Sequence, residues 1–197
     1  MSLKVKKKVS FPPVDGGTYP AICVGIIDLG EQLNDYNNRK SYEDHVLFIW
    51  ELPNVTIEID GEKKPRWVSK EYNAVLSERS NLSKMLTSWR GVEPPDEFDL
   101  PQMIGEAALI QVVVKEKQNG ELKNDITGVM GFINGVPKPQ TETELLLFNM
   151  DEWNDEIFEK LPDWVKKRIM KSTQYQKFHA PDTTIEVKPM TEGECPI

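Results

Sequence analysis

The sequence predicts a mainly β fold: a small five-stranded barrel with one inserted helix, a C-terminal helical appendage and an extended tail. Three observations carry this reading. Runs rich in Val, Ile and aromatic residues recur between turn signals. Before residue 136 only one stretch repeats its apolar residues at helical spacing. Strands and helices do not alternate, as a parallel sheet would require.

Residues 1–16 read as an extended basic arm that ends in Pro12-Pro13 and the turn signal Asp15-Gly16-Gly17. Thr18 to Leu29 is a long strand stopped by Gly30, and Glu31 to Asp44 is a polar loop. His45 to Leu52 is apolar at nearly every position, which suits a strand buried on both faces and closed by Pro53. Val55 to Ile59 turns at Asp60-Gly61 and returns as Arg66 to Leu76. Ser80 to Trp89 is the inserted helix, with Leu82, Met85, Leu86 and Trp89 on one face and Gly91 as its stop. After a Pro/acid loop from Val92 to Leu100 come two strands, Ala107 to Glu116 and Lys123 to Ile133, joined at Asn119-Gly120.

Four segments follow: the arm 1–16, a barrel 17–135, a helical appendage 136–178 and an acidic extended tail 179–197. In the appendage, Asp151 to Ser172 carries the apolar stripe Trp153, Ile157, Phe158, Leu161, Trp164, Val165 and Ile169. Pro162 divides it into two helices and sits near the start of the second. Such a stripe must be buried, on the barrel or against another copy of the chain, and packing on the barrel is expected.

Composition narrows the function. The formal charge is -8, but 12 acidic and 7 basic residues fall from Thr141 onward, so the preceding 140 residues together carry only about -3. No apolar run approaches the ~20 residues of a membrane helix, and no apolar segment follows the basic N-terminus, so a cytoplasmic protein without membrane contact is expected. Cys23 and Cys195 are too far apart in sequence, and His45 and His179 too few, to build a familiar zinc site. Cys23 lies in an apolar strand and reads as a buried structural residue.

Catalytic signatures are missing too. Gly25-Ile26-Ile27-Asp28-Leu29-Gly30-Glu31 has the glycine spacing of a phosphate loop, but Glu31 stands where that loop needs lysine. The carboxylates Asp96, Glu97 and Asp99 sit beside Pro94-Pro95 as a solvated turn. A binding protein with no catalytic residue, metal or cofactor is expected.

Three strands, a helix and a closing hairpin is the element order of the OB-fold. The opening Gly17-Thr18-Tyr19-Pro20-Ala21-Ile22-Cys23-Val24-Gly25-Ile26-Ile27-Asp28-Leu29-Gly30 is similar to the first strand of phage replication-cluster proteins. So is the segment from Asp151-Glu152-Trp153 through Leu161-Pro162-Asp163-Trp164-Val165 to Ile169 and Lys171-Ser172. The chain thus resembles bacteriophage single-stranded-DNA-binding proteins. That resemblance implies non-sequence-specific single-strand binding in replication or recombination, in the cytoplasm of a bacterial host. The end Glu192-Gly193-Glu194-Cys195-Pro196-Ile197 is similar to the acidic tip by which bacterial single-stranded-DNA-binding proteins recruit partners. Glu192, Glu194, Pro196 and Ile197 are thereby candidates for binding replication or recombination proteins, with a frayed acidic terminus as the alternative. Self-association into a homo-oligomer is open.

Single-strand binding needs cations along a groove and flat side chains for bases. The OB-fold places these on the second and third strands and on the loops joining strands one to two and four to five. Tyr36, Arg39, Lys40 and Tyr42 fall in the first loop, and Lys115, Lys117 and Lys123 in the last hairpin. On the third strand, alternation puts Arg66, Val68, Lys70 and Tyr72 on one face and Trp67, Ser69 and Glu71 on the other. Trp67 can face the core or a ligand. Phe48, Trp50 and Trp89 read as core. The alternative function is a non-catalytic phage protein-interaction module on the same barrel, which the net charge favours.

Overall fold

A computed structural model describes residues 12–36, 39–59 and 61–179. The chain forms β1 (Gly17–Tyr36), β2 (Arg39–Ile59), β3 (Glu62–Asn73), α1 (Asn81–Arg90), a 3-10 turn (Leu100–Met103), β4 (Ala107–Glu116) and β5 (Leu122–Gly131). It continues with β6 (Leu146–Phe148), α2 (Asp155–Lys160), α3 (Asp163–Ile169) and α4 (Thr173–Phe178). The fold is mainly β. One antiparallel path runs β3-β2-β1-β4-β5, and β6 joins β1 in parallel.

β1 is the spine. Its first residues, Gly17 to Ile22, pair with β4, and from Ile22 onward its other edge pairs with β2. Where β4 leaves, β6 takes the vacated edge at Gly25, Ile26 and Ile27. Register shifts at Cys23/Gly25 and Asp28/Gly30 bend the strand so that it can serve both partners. The sheet path ends at β3 and β5. Lys70 Nζ donates to the Ile126 carbonyl, joining those two end strands through a side chain.

Both faces of the sheet are buried. Val46, Phe48, Trp50 and Leu52 of β2 join the inner core with α1, and Leu47 and Ile49 join an outer core. The near-continuous apolar run from His45 to Leu52 follows from this double burial. α1 fits its predicted form: Ser80 caps it by accepting from Ser83 N, and Gly91 closes it at φ 74°. The Trp89 indole donates to the Ala107 carbonyl at 2.9 Å. α1 lies so close to β5 that a Cβ on Gly131 would meet the Trp89 carbonyl oxygen at 2.9 Å.

The appendage packs on the outer face. Phe148, Phe158, Leu161, Val165 and Ile169 meet Ile22, Val24, Ile27, Leu29, Leu47 and Ile49, with Trp153 and Ile157 packed against them. Gln32, itself buried, ties the appendage to β1 by donating to the Leu29 and Arg168 carbonyls. Gly30 sits at φ 68°, and a Cβ there would come within 2.9 Å of Ser172 Cβ, so only glycine lets α4 approach this closely.

Several boundaries differ from expectation. Residues 31–36 and 39–44, expected as a loop, prolong β1 and β2 into a polar two-stranded ribbon. Backbone pairing satisfies such a ribbon without apolar side chains, so hydropathy does not mark it. Val55 to Ile59 is part of β2, continued past Pro53 by a register shift between Leu52 and Thr56, where the missing N–H of proline interrupts no ladder bond. β6, three residues long, was not foreseen. The helical region is α2, α3 and a further α4, with Pro162 as the N-cap of α3. Trp164 leaves the buried stripe and is 51% exposed.

Cys23 is a free, fully buried cysteine, as the sequence suggested, and burial pushes its thiol up to about 12. Cys195 lies outside the described residues.

Two outcomes follow. Ile169→Ala should lower the unfolding free energy by about 2–5 kcal/mol in urea titration, since it empties a fully buried site joining α3 to the sheet. Alkylation of the native protein at pH 8, read by peptide mass mapping, should spare Cys23, whose reactive thiolate is then about one part in 10⁴; unfolding in urea should expose it to full labelling.

Candidate nucleic-acid interface

Alternation along β3 is as expected, but the face assigned to ligand is the inner one. Arg66, Val68, Lys70 and Tyr72 share it, with Val68 and Tyr72 in the core. Tyr72 is only 6% exposed and stands edge-on to Phe48 at 5.9 Å between ring centroids. Burial raises its phenol above the ordinary value, the charge of Asp125 adding to the effect. No base can stack on this ring without opening the core, which corrects the expectation for Tyr72. Two basic residues in four made the face look solvated. Long side chains can run along apolar surface and release their charge at its edge, and Lys70 does so toward Ile126.

Arg66 reaches the same seam between β3 and β5. Its Nη2 donates to the Pro12 carbonyl at 2.8 Å, and desolvation lowers its pKa. Two residues on, the Val14 backbone exchanges two bonds with the Asn124 side chain of β5. Residues 12–14 thus cross from one end strand to the other.

The outer face of β3 carries the exposed aromatic. Trp67 is 36% exposed and pairs in register with Glu51 of β2. Its Nε1 donates to Glu51 Oε2 at 3.3 Å, which sets the plane of the indole. The Thr143 hydroxyl donates to the same oxygen. Glu51, a lone acid in an apolar strand, is thereby 2% exposed beneath the 140–143 linker.

Around this pair lies a groove of about 890 Å³. The distal half of the β2–β3 hairpin, with Ile57, Ile59, Lys63, Lys64 and Pro65, forms one wall. The linker from Gln140 to Thr143, with Pro162, forms the other. Lys63 and Lys64 set two cations against the carboxylates of Glu51 and Glu142, while Arg66 lines the groove but turns its guanidinium to Pro12. Lys64 is half exposed, 3.5 Å from Glu62. From Pro162 at the groove, α3 runs to Arg168, whose guanidinium grips Glu71 of β3 at 2.6 and 3.3 Å. Trp164 lies one turn before Arg168 on the same helix face, so a second exposed indole stands on the groove's side of the sheet.

The remaining expected residues fall into two groups. Lys40 and Tyr42 are exposed on the β1–β2 ribbon, and the side chains of Tyr36 and Arg39 lie outside the described residues. Lys115, Lys117 and Lys123 are exposed on the β4–β5 hairpin, at the opposite end of β1 from the ribbon and the same end as the β2–β3 turn. Lys115 is paired with Asp125, and Lys117 with Glu121 at 2.9 Å; the Lys115 bond, aided by the charges of Lys70 and Lys123, holds the Asp125 carboxyl below its usual range. Glu192, Glu194, Pro196 and Ile197 lie outside the described residues. Sequence reading missed Lys63, Lys64, Glu51, Thr143 and Trp164. A single acid inside the run from His45 to Leu52 was the available sign for Glu51.

A second cleft, between the β1–β2 ribbon and the segment after β6, is acidic, with Asp28, Asp44, Asp151 and Glu152. Burial raises the Asp28 carboxyl against the bonds it accepts from Gly30 N and Met150 N. Among the described residues no group of three or more His, Cys, Asp or Glu side chains is gathered to hold a metal ion. Nor, among them, is any helix long and apolar enough to cross a membrane. No protein-family model, curated protein or solved structure matches the chain.

Of the five tryptophans, Trp50 and Trp89 are buried and Trp153 is packed on the outer core. Acrylamide should therefore quench chiefly Trp67 and Trp164. A W67F/W164F double variant should lose most of the collisional quenching of the wild type; an unchanged quenching slope would mean that these indoles are covered.

Proposed function

We propose that this chain is a single-stranded-DNA-binding protein of the bacteriophage type, acting in replication or recombination. The observation that carries the reading is the groove on the outer face of β2 and β3, where Trp67, hydrogen-bonded to Glu51 and 36% exposed, lies beside Lys63 and Lys64. Flat apolar surface beside cations is what bases and phosphates of a single strand require. A duplex, whose bases are already stacked, gains nothing from the indole.

The finer fold assignment supports the same reading. The path β3-β2-β1-β4-β5 would become a five-stranded OB barrel on closing β3 against β5, with α1 packed at that junction. In such a barrel the strand-two and strand-three face is the oligonucleotide surface, and the β4–β5 hairpin with Lys115, Lys117 and Lys123 extends it. The resemblance to phage proteins, the cytoplasmic setting in a bacterial host, and recruitment of replication or recombination partners by Glu192, Glu194, Pro196 and Ile197 belong to this proposal.

The test is an anisotropy titration of a labelled dT oligonucleotide and of its duplex over a range of salt. Single-strand affinity should exceed duplex affinity and fall steeply with salt. Each lost phosphate contact should reduce the slope of log K against log salt by about 0.7, so K63A/K64A should flatten it by about 1.4. Trp67→Ala should weaken binding roughly 5- to 150-fold, the worth of one stacked base. Absence of binding at low salt would leave the protein-interaction module, which the net charge of -8 favours.

A further inference from the structure

Glu51 holds an unused acceptor at the floor of the groove. Its Oε2 takes both available donors, Trp67 Nε1 and the Thr143 hydroxyl. No donor among the described residues reaches Oε1, although the residue is 98% buried by its 2% exposure. Oε1 is not among the fully occluded side-chain atoms that lack a partner, so it keeps contact with solvent at the groove and is open to a donor from outside.

The surroundings restrict that donor. Lys63 and Lys64 line the groove and repel a cationic ligand, Glu142 being the only other acid on its lining. The group meeting Oε1 is then a neutral N–H, carried by something anionic at its periphery. It must also be flat, to lie against Trp67. An amino-bearing nucleobase in a phosphodiester strand has all three properties.

We propose that Glu51 Oε1 accepts the exocyclic amino group of a base stacked on Trp67, so that the groove favours cytosine, adenine or guanine over thymine. Carboxylates read cytosine through its N4 amino group in this way. Thymine has no exocyclic amine, and its only ring N–H is flanked by two carbonyl oxygens that would face the carboxylate. The inference rests on the single-strand reading and adds to it a bias in base composition. Trp67 and Thr143 act here as positioning residues, because their bonds fix Oε2 and leave Oε1 as the free atom.

The experiment compares labelled dC and dT oligonucleotides of equal length by anisotropy, at mildly alkaline pH where cytosine stays unprotonated. The wild type should bind dC on the order of 10-fold more tightly than dT. Glu51→Gln preserves the shape and one acceptor for Trp67 and Thr143, and places an amide donor where Oε1 was. It should abolish the dC preference or turn it toward dT, whose carbonyls accept that donor. Equal wild-type affinities for dC and dT would overturn the base assignment and leave single-strand binding intact. A preference unchanged in Glu51→Gln would also overturn it, by placing the selective contact elsewhere. Failure to bind either strand would sink the single-strand reading itself. The wild-type ratio needs no variant, so the inference stays open to refutation even if Glu51→Gln folds poorly.

Discussion

The structure depends on a pair of central strands buried from both sides. β2 sends Phe48, Trp50 and Leu52 into the inner core and Leu47 and Ile49 into the outer one. β1 does the same with Cys23 and Ile26 on one side and Val24, Ile27 and Leu29 on the other. A sheet whose outer face is this apolar cannot meet water there, so the appendage is a structural requirement of the sheet. β6 and α2–α4 cover β1 and the neighbouring half of β2, and they stop short of the distal β2–β3 hairpin. The groove is the part of the outer face that the appendage leaves uncovered.

This arrangement explains the odd position of Glu51. On the outer face of β2 it continues the row Leu47, Ile49, so it points toward the same side as the outer core. At that point the covering helices give way to the 140–143 linker, and the carboxylate becomes the first polar group at the edge of the apolar face. Trp67, its neighbour across the ladder, is the first aromatic there that no helix covers. Covering and uncovering change over within one residue pair. A groove floor with a hydrogen-bonded indole is the physical result.

What the sequence made legible follows the strength of the local signals. The turn at Gly61, the Asn119-Gly120 turn, the Ser80 and Gly91 caps and the apolar run of β2 act over a few residues, and each appears where the residues predict it. The polar ribbon of residues 31–36 and 39–44 is illegible because its pairing rests on backbone bonds that any residue can make. β6 was illegible because three residues carry no period. The choice of face on β3 failed for a different reason. Alternation gives two faces and not which one is inside, and the answer depends on packing against α1 and on the Lys70 bond to β5, contacts distant in sequence. Trp164 shares the stripe of Leu161 and Val165 in period, yet it stands exposed because Val165 and Ile169 take the face of α3 that packs on the sheet.

The net charge of -8 is compatible with the proposed anionic ligand at the groove lysines because charge acts locally in salt. At physiological ionic strength fields fade over about 8 Å. The acids of the second cleft, Asp28, Asp44, Asp151 and Glu152, belong to the side of the molecule bearing the β1–β2 ribbon, whereas Lys63, Lys64 and Arg66 lie on the distal half of the β2–β3 hairpin. The overall charge therefore governs the long-range approach of a polyanion, which it slows. The contact itself is governed by what lies within one screening length of the indole. There Lys63 and Lys64 stand beside the indole, and one of the acids facing them, Glu51, is already bound by Trp67 and Thr143. On the proposed single-strand reading, such a surface gains little from steering and depends on stacking and close contact, which places the weight of recognition on Trp67 and the atoms that hold it.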